Sequence, residues 1–285
     1  MKRIILILSA LALLASCSPS ERRVMARYVP ERADDFVFEN NLIAGRFYGQ
    51  ALEGNPTSPG VDVWVKLPGR PVANEWYEKA VAEDPDYYHH DHGGKDCYKV
   101  AVSLGGGASV PYIDGVLCFP ATNYRSYEMV EDGPEKVSFV LHYPEWEAAE
   151  GIKVSLDKKV TVIPDTYFVN VEDQWSFTGA EELPIAAGFK LHTDLETIET
   201  SEFGPDRWAI WEKASDQSIE PEDGMLGIAV VMDGAEDSIL REDLDHALLV
   251  KTVKSGETLS YSFGSCWSKG EVKTAEQWFD IVKNQ

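Results

Sequence analysis

The chain has 285 residues, of which 44% are hydrophobic and 11% aromatic, enough apolar surface for one large packed domain or two ordinary ones. Its 48 acidic and 26 basic residues give a formal net charge of −22. This acidity argues against a nucleic-acid-binding surface, which needs clustered Lys and Arg, and the composition argues against a disordered or fibrous chain.

The N-terminal residues have the pattern of a signal peptide. Lys2 and Arg3 precede an apolar run, residues 4–15, that is too short to span a bilayer comfortably. The small residues before Cys17 are typical of a bacterial lipobox, in which the cysteine is lipidated; an ordinary cleaved signal is the alternative. We expect a signal at 1–16, then lipidated Cys17 and a polar tether over 17–35. The protein would lie in the bacterial periplasm or at the cell surface and meet the membrane only through its lipid.

The body of the chain has the alternation that predicts β-strands. In GVDVWVKL, Val61, Val63 and Val65 alternate with other residue types, and in EKVSFVLHY every second residue from Val137 is apolar. Gly, Pro, Asp and Asn separate these runs, as in turns. Five further segments continue the pattern, namely IKVSLDKKVTVI, TYFVNVEDQWSF, IAAGFKLHT, MLGIAVVMD and HALLVKTV.

Two segments favour helices. NEWYEKAVAE, residues 74–83, is one, and TAEQWFDIVKN near the C-terminus is the other. Thr274 is placed to cap the backbone N–H of Gln277, whose side chain would cap back. Many strands with few short helices predict an all-β fold, a large antiparallel β-sandwich, as a single domain over residues 36–285.

Three cysteines, Cys97, Cys118 and Cys266, follow the N-terminal one. An odd number in an exported chain leaves at least one thiol outside any disulfide. The sequence has no CxxC pair and no thiolate pattern for a metal, so we expect small buried hydrophobic residues or one disulfide.

The segment DYYHHDHGGKDCYKV, residues 86–100, holds three of the six histidines. His89 or His90 suits the role of a base near neutral pH, and Tyr88 suits that of an acid. Lys99 would supply a nearby cation. A polar loop stabilised by side chain to backbone hydrogen bonds is the alternative interpretation.

A metal site is a third interpretation of the same histidines. His90 and His92 alternate on an extended chain, and His192 could join them from another strand. The three side chains would then hold a single divalent metal as a possible cofactor. The glycine run at 103–109 lacks the Lys and helix of a phosphate-binding loop, so we expect a tight turn there.

Positive charge is distributed unevenly. Residues 46–125 have a net charge of −3, whereas residues 126–285 have a net charge of −20. A carboxylate ligand must be bound where cations gather, because the overall field repels an anion. We therefore expect Arg46, Lys99 and Arg125 to face such a carboxylate.

The order of several short motifs resembles a bacterial family of domains of unknown function that is encoded among polysaccharide-utilisation genes. His92 departs from it, standing where the family often has a Trp, and the spacing from His89 to Asp96 is one residue short. The positions that match are Glu39-Asn40, Arg46-x-Tyr48, Asp62 to Lys66, Tyr88-His89, Asp96, Lys99-Val100 and Ser103 to Gly107.

This resemblance implies a galactose-mutarotase-like supersandwich. One branch of the family is similar to an oligosaccharide dehydratase that acts on terminal uronic acids of ulvan. The resemblance thus implies β-elimination, by a dehydratase or lyase, on an oligosaccharide with uronic acid. The expected catalytic residues are Tyr88, His89, His90 and Lys99, and the expected substrate-binding residues are Arg46, Tyr48, Asp62, Lys66, Asp96 and Arg125. Of these, His90 and Arg125 come from residue type and local charge, and the others also match the family motifs.

Two other functions remain open on the same fold. One is a non-catalytic carbohydrate-binding lipoprotein. The other is a glycoside hydrolase, for which Asp62, Asp91 and Asp96 supply carboxylates, although no spacing marks a catalytic pair. Fold alone does not choose among these activities.

Overall fold

The computed structural model describes residues 22–53, 60–192, 199–202, 204–214 and 221–285. Two α-helices, α1 (Ala73–Ala82) and α2 (Ala275–Lys283), accompany the strands of this described part. The strands are β1 Met25–Val29, β2 Asp35–Glu39, β3 Ala44–Phe47, β4 Val61–Lys66, β5 Gly94–Lys95, β6 Ala108–Ile113, β7 Val116–Leu117, β8 Ser126–Asp132, β9 Val137–Ala149, β10 Ile152–Val162, β11 Phe168–Thr178, β12 Glu182–Lys190, β13 Glu199–Glu202, β14 Arg207–Lys213, β15 Met225–Val231, β16 Asp237–Arg241, β17 His246–Lys254 and β18 Thr258–Trp267.

These strands form three antiparallel sheets. The N-terminal sheet has the order β1-β2-β3-β4-β5, and a second five-stranded sheet has the order β16-β17-β12-β6-β7. The third is an eight-stranded sheet with the order β13-β14-β15-β18-β11-β10-β9-β8. The expectation of an all-β chain with few short helices is confirmed.

The eight-stranded sheet packs against both five-stranded sheets. Strand β4 contacts β18, β1 contacts β9, and β12 contacts β15. The predicted alternation in β9 is observed. Val137, Phe139 and Leu141 are buried in an apolar core formed by side chains from all three sheets. The arrangement is a large antiparallel β-sandwich, as the sequence predicted.

The glycine run joins the two five-stranded sheets. Gly105 forms an isolated bridge with Val61 of β4, and its carbonyl accepts a hydrogen bond from Lys190 N of β12. Gly105 has φ +57°, and a Cβ there would lie 2.2 Å from the Val61 carbonyl oxygen. A Cβ on Gly107 would lie 2.1 Å from the Phe263 side chain. The run is therefore a tight junction that requires glycine, rather than a phosphate-binding loop.

Helix α1 covers the N-terminal sheet on the side away from the eight-stranded sheet. Trp76 and Tyr77 of the helix pack with Trp64 and Val37 of the sheet in an apolar cluster of their own. Strand β4 is consequently buried on both faces, where the sequence predicted simple alternation. The segment expected to be a polar tether contains β1, so the folded body begins before residue 35.

Helix α2 packs on the outer face of β14 and β15. The Thr274 side chain accepts a hydrogen bond from Gln277 N at 3.3 Å, as expected for the helix cap. The Gln277 side chain bonds Lys273 N at 2.6 Å instead of returning to Thr274 N. Trp278 is buried against Phe168, with the rings stacked 5.7 Å apart.

The three cysteines of the described chain are all buried, and none of them forms a disulfide there. Burial raises the pKa of the Cys97 and Cys266 thiols well above the ordinary value. Neutral thiols of this kind behave as small hydrophobic residues, which agrees with one of the two expectations.

Candidate functional site

The family-like motifs converge on one surface, the outer face of the N-terminal sheet. We use that name for the side covered by α1. Arg46 pairs in register with Val37 of β2 and with Asp62 of β4, and paired residues in an antiparallel sheet point to the same side. Because side chains alternate along each strand, Asp35, Glu39, Trp64 and Lys66 also lie on this face.

Arg46 is the centre of a buried charge cluster. Its Nε is 2.7 Å from Asp62 Oδ2. Its Nη1 is 3.3 Å from Asp35 Oδ2, and its Nη2 is 3.3 Å from Asp96 Oδ2. The Arg46 side chain is only 5% exposed. Its guanidinium carbon lies 5.3 Å from the ring centre of Tyr48, and equally far from the rings of Trp64 and Tyr88. The rings and carboxylates together hold the guanidinium in one place.

One guanidinium cannot neutralise three carboxylates. Burial raises the pKa of Asp96 well above 3.8, and the charge of Asp62 adds to that effect. Burial also raises the pKa of Asp35, although Arg46 opposes it. The Oδ1 atoms of Asp35, Asp62 and Asp96 are buried without a hydrogen-bond partner among the residues that the structure describes. The raised pKa values favour the protonated forms of Asp96 and Asp35, which reduces the negative charge that Arg46 does not balance.

His89 lies beside this cluster in a 3₁₀ turn, Tyr87–His89. Its Nδ1 is 3.2 Å from the backbone carbonyl oxygen of Asp96, and Asp96 N donates to the Tyr88 carbonyl oxygen at 2.8 Å. Because a carbonyl oxygen only accepts, Nδ1 must carry the hydrogen. A neutral His89 therefore has its free lone pair at Nε2. The ring is half-buried, so it remains in contact with solvent.

The Tyr88 hydroxyl is held by a second arginine. Arg32 Nη2 donates to it at 2.7 Å, and the Arg32 side chain is 27% exposed, in contrast to Arg46. Tyr48, whose ring centre is 5.3 Å from the Arg46 guanidinium carbon, is half-buried. We call Arg32, Tyr48, Tyr88 and His89 the rim, because they surround the buried cluster. Arg32, Tyr48 and His89 partly reach solvent, whereas Tyr88 is buried.

The histidines predicted as metal ligands are not brought together. His90 is exposed, and the ring of His92 stacks on Tyr87 with 3.9 Å between ring centres. In His192, Nδ1 is 2.9 Å from Glu212 and Nε2 is 2.8 Å from a backbone oxygen, so both ring nitrogens are engaged. Across the described ranges, no three His, Cys, Asp or Glu side chains are grouped as a metal site requires.

The backbone of Lys99 lies against His192. The oxygen that His192 contacts is the Lys99 carbonyl. Burial would lower the pKa of His192, but its hydrogen bond to Glu212 and the charge of Glu212 outweigh burial and raise it above 6.5. His192 and Glu212 therefore form a buried ion pair that fixes the chain near Lys99.

Lys66 and Glu39 form the second charge pair of the outer face. Lys66 Nζ contacts Glu39 Oε1 at 2.5 Å and donates to the Asn40 carbonyl at 2.7 Å. Glu39 also accepts from Val72 N at 2.7 Å and Ala73 N at 3.0 Å, which caps the start of α1. These residues attach the helix to the sheet. Lys66 is buried, and its expected substrate-binding role remains a prediction.

Arg125 is separate from the Arg46 cluster. Its two terminal nitrogens bind the carboxylate of Glu53 in a paired, fork-like contact, with 3.0 Å between Nη2 and Oε2. Glu53 also accepts from Asn123 N at 2.8 Å. The grip on a carboxylate that the sequence predicted for Arg125 is thus already filled by the protein's own glutamate.

Sequence reasoning missed three members of this site. Asp35 and Tyr77 belong to the buried cluster, with Tyr77 donating to Asp35 at 3.1 Å, and Arg32 belongs to the rim. The alternation of Phe36 and Phe38 with Asp35 could have placed Asp35 on the face of Glu39. Nothing in the local pattern around Arg32 indicated that it would reach Tyr88.

The chain belongs to the family described as a domain of unknown function, DUF4861, whose model matches residues 13–285. A model of the prokaryotic membrane lipoprotein lipid attachment site matches residues 1–18, which include Cys17. The predicted lipid anchor is confirmed, although Cys17 lies outside the described residues. No helix in the described part of the chain is long and apolar enough to cross a membrane.

Similar proteins include Uncharacterized protein P7 of Formosa agariphila, which is 34% identical over 215 residues, 72% of this chain and 51% of that protein. This chain therefore spans about half the length of that relative.

Among solved structures, the galactosidase domain of an α-galactosidase-sucrose kinase is 12% identical, covers 85% of this chain and 42% of its own, and has a TM-score of 0.40. A GH36 α-galactosidase from Geobacillus stearothermophilus is 10% identical, with 86% and 41% covered and a TM-score of 0.39. A candidate aldose 1-epimerase from Klebsiella pneumoniae is 10% identical, with 92% and 80% covered and a TM-score of 0.39. These TM-scores are low, and no substrate or reaction of this chain follows from them.

Proposed function

We propose that this lipid-anchored DUF4861 protein acts on oligosaccharides containing uronic acid by β-elimination at the rim. The observation that carries the proposal is the hydrogen bond between His89 Nδ1 and the Asp96 carbonyl oxygen. It orients the imidazole and leaves the unprotonated Nε2 for a substrate proton. This is the arrangement that a general base requires.

His89 acts as the base in this mechanism. Its Nε2 takes the proton from the carbon next to the substrate carboxylate, and the electron pair of that C–H bond forms a carbon–carbon double bond. The bond from the β-carbon to the leaving oxygen breaks at the same time. Tyr88 gives its hydroxyl proton to the leaving oxygen, so that water or an alcohol departs, and exchange with solvent restores both residues.

Arg32 binds the substrate carboxylate. It is partly exposed and contacts Tyr88, whereas the Arg46 guanidinium is buried among three carboxylates. Neutralising the substrate carboxylate is required because the proton beside it is otherwise too weakly acidic to be removed. This replaces the role that the sequence suggested for Arg46, which instead holds Asp96 and through it His89.

The buried cluster also limits repulsion of the substrate. An anion approaching three ionised aspartates and one arginine would meet a net negative charge. The raised pKa values of Asp96 and Asp35 reduce that charge. The rim can therefore accept a uronate in a protein whose formal net charge is −22.

The product distinguishes the possible functions. The purified, detergent-solubilised lipoprotein is incubated with a panel of uronic-acid oligosaccharides, and the products are analysed by mass spectrometry. A dehydratase product is lighter than the substrate by the mass of one water. The fragments from a lyase have a summed mass equal to that of the substrate, and those from a hydrolase have a summed mass greater by one water. Elimination also raises ultraviolet absorbance, since the new double bond is conjugated to the carboxylate. Binding without any product would identify a carbohydrate-binding module.

Two neighbouring histidines provide a matched pair of variants. His89→Ala is expected to lower kcat by about 10²–10⁴-fold with little change in KM, because a general base acts in the transition state. His90→Ala, at the exposed position next to it, should retain kcat within about 2-fold of wild type. Equal losses in the two variants, or turnover of a substrate whose carboxylate has been reduced to an alcohol, would contradict the mechanism.

A further inference from the structure

A cavity of about 330 Å³ is not used by the mechanism above. It is located where β1 of the N-terminal sheet meets β8, the edge strand of the eight-stranded sheet. We call it the tyrosine pocket, and its lining residues are Tyr28, Asp34, Gln50, Tyr124, Arg125, Ser126 and Tyr127. Its volume is at the lower end of the range for small-molecule sites.

The pocket has an aromatic wall. Tyr28 and Tyr127 stack with their ring centres 5.3 Å apart and 28° between the ring planes. Phe36 supports Tyr127 from the core at 5.1 Å, yet 43% of Tyr127 remains exposed. A large ring that is fixed on one side and open on the other is a surface on which a sugar ring can stack.

The tyrosine hydroxyls converge on Asp34. Tyr28 donates to the Asp34 carboxylate, and Tyr124 donates to the Asp34 carbonyl oxygen. Ala33 and Asp34 both have left-handed backbone angles, φ +54° and +58°, which are costly for residues other than glycine. Strain of this kind persists only where surrounding contacts impose it, and it is typical of ligand sites.

The tyrosine pocket and the rim share the same chain segments. Arg32 of the rim and Asp34 of the pocket are two residues apart in one turn, so their Cα atoms are within about 7 Å. Tyr48 of the rim and Gln50 of the pocket are also two residues apart, at the end of β3. The rim and the tyrosine pocket are therefore close together along the backbone at these two points.

We propose that the tyrosine pocket binds a neutral sugar ring of the same oligosaccharide whose uronic acid lies at the rim. This inference rests on the proposed function and names the part of the substrate that the rim does not hold. The Asp34 carboxylate, the Gln50 amide and the Ser126 hydroxyl supply hydrogen bonds to sugar hydroxyls. The exposed Tyr127 ring supplies the stacking surface.

The charges of the pocket favour a neutral ring over a second uronate. Arg125 is already engaged by both oxygens of Glu53. A uronate carboxylate entering beside Arg125 would meet the carboxylates of Glu53 and Asp34 at close range. A neutral ring avoids this repulsion and still uses the hydrogen-bonding groups.

The test compares two probes, the methyl glycoside of a uronic acid and a tetrasaccharide in which the same uronic acid is followed by three neutral sugar rings. Binding is measured by calorimetry with the His89→Ala lipoprotein, which does not consume the probes. The tetrasaccharide is expected to bind about 10-fold more tightly than the methyl glycoside, and adding Tyr127→Ala should remove that difference. Tyr127→Phe should preserve it, since the ring remains.

Val130→Ala is the matched control. Val130 lies on the same edge strand, is 51% exposed and is not part of the pocket lining, so the preference for the tetrasaccharide should persist. Melting curves of all variants show that they are folded. The inference is overturned if Tyr127→Ala keeps the preference, or if both probes bind equally to the parent protein.

The outcome for the pocket is independent of the outcome for the reaction. A length preference that depends on Tyr127, without turnover of any probe by the wild type, supports the pocket and contradicts β-elimination. Turnover by the wild type with no length preference supports β-elimination and overturns the pocket. If both proposals hold, Tyr127→Ala alone, in a protein that keeps His89, raises KM for the tetrasaccharide by about 10-fold and leaves kcat unchanged.

Discussion

The Arg46 and Asp96 side chains meet at 3.3 Å across 50 residues of sequence, on the outer face of the N-terminal sheet. Through this contact, a buried arginine fixes the backbone whose carbonyl oxygen orients His89. The charge cluster is thus connected to the proposed base by a single residue. The strongest electrostatic feature of the site acts by positioning, and the chemistry is left to the partly exposed rim.

The first prediction concerns the proton on Asp96. Burial raises its pKa well above 3.8 in the folded protein, so as the pH rises from about 4 the folded state keeps a proton that the unfolded state releases. The contribution of Asp96 to the free energy of unfolding should therefore fall as pH rises. Asp96→Asn removes the titration, so the variant should gain stability relative to wild type as pH increases through the folded-state pKa.

Urea unfolding at several pH values between 4 and 7 measures this difference. Asp62→Asn is the control, because Asp62 makes the shortest contact with Arg46 and its loss should destabilise the protein at neutral pH. If Asp96→Asn destabilises the protein equally at every pH, then Asp96 is ionised in the folded state and the assignment of its proton is wrong.

Alternation in the sequence predicted most of the sheet architecture. Val61, Val63 and Val65 enter the core as expected, and so do the apolar positions of β9, because a two-residue period directly records which face is buried. The two helices were also predicted to within a residue at α1 and with the correct cap at α2. These features depend on neighbouring residues, which a single sequence contains.

The site was predicted only in part, because its contacts are long-range. Arg46, Asp62 and Asp96 were identified from the family resemblance, but the sequence could not show that they bind one another instead of a ligand. The same limit applies to Arg125, whose partner Glu53 is 72 residues away. Charged residues of one motif satisfy each other whenever the fold brings opposite charges together, and only the structure reveals that pairing.

The second prediction concerns the arginine at the centre of the cluster. Arg46→Ala leaves three carboxylates buried without their cation, which should lower the free energy of unfolding by about 3–5 kcal/mol. Arg125→Ala breaks an ion pair whose side chains are 36% and 27% exposed, and should cost about 1 kcal/mol or less. Urea unfolding at neutral pH compares the two variants. Similar losses in both would mean that the buried cluster does not depend on its arginine.

The third prediction concerns the junction between the two five-stranded sheets. Gly105→Ala places a methyl group 2.2 Å from the Val61 carbonyl oxygen at a residue with φ +57°, so strain and a backbone clash combine. Gly151→Ala has strain alone, since φ is +73° and no atom lies within 4 Å of the added carbon. Thermal unfolding should show a loss of about 1 kcal/mol for Gly151→Ala and at least twice that for Gly105→Ala. Equal losses would show that the close approach at the junction relaxes without cost.

The last prediction concerns Arg32, which we assign to the substrate carboxylate. Arg32→Gln keeps a hydrogen-bond donor for the Tyr88 hydroxyl but removes the charge, so kcat/KM for a uronate should fall by about 10²-fold, with contributions from both kcat and KM. KM rises because the carboxylate loses its partner in the ground state, and kcat falls because the charge that develops during proton removal is no longer neutralised. Arg32→Lys restores a charge without the planar fork and should recover part of the loss.

Arg27→Gln is the control, since Arg27 pairs with Glu31 outside the rim, and its kinetics should match the wild type. If Arg32→Gln and Arg27→Gln are equally active on uronates, the carboxylate is bound elsewhere and Arg32 serves only to hold Tyr88.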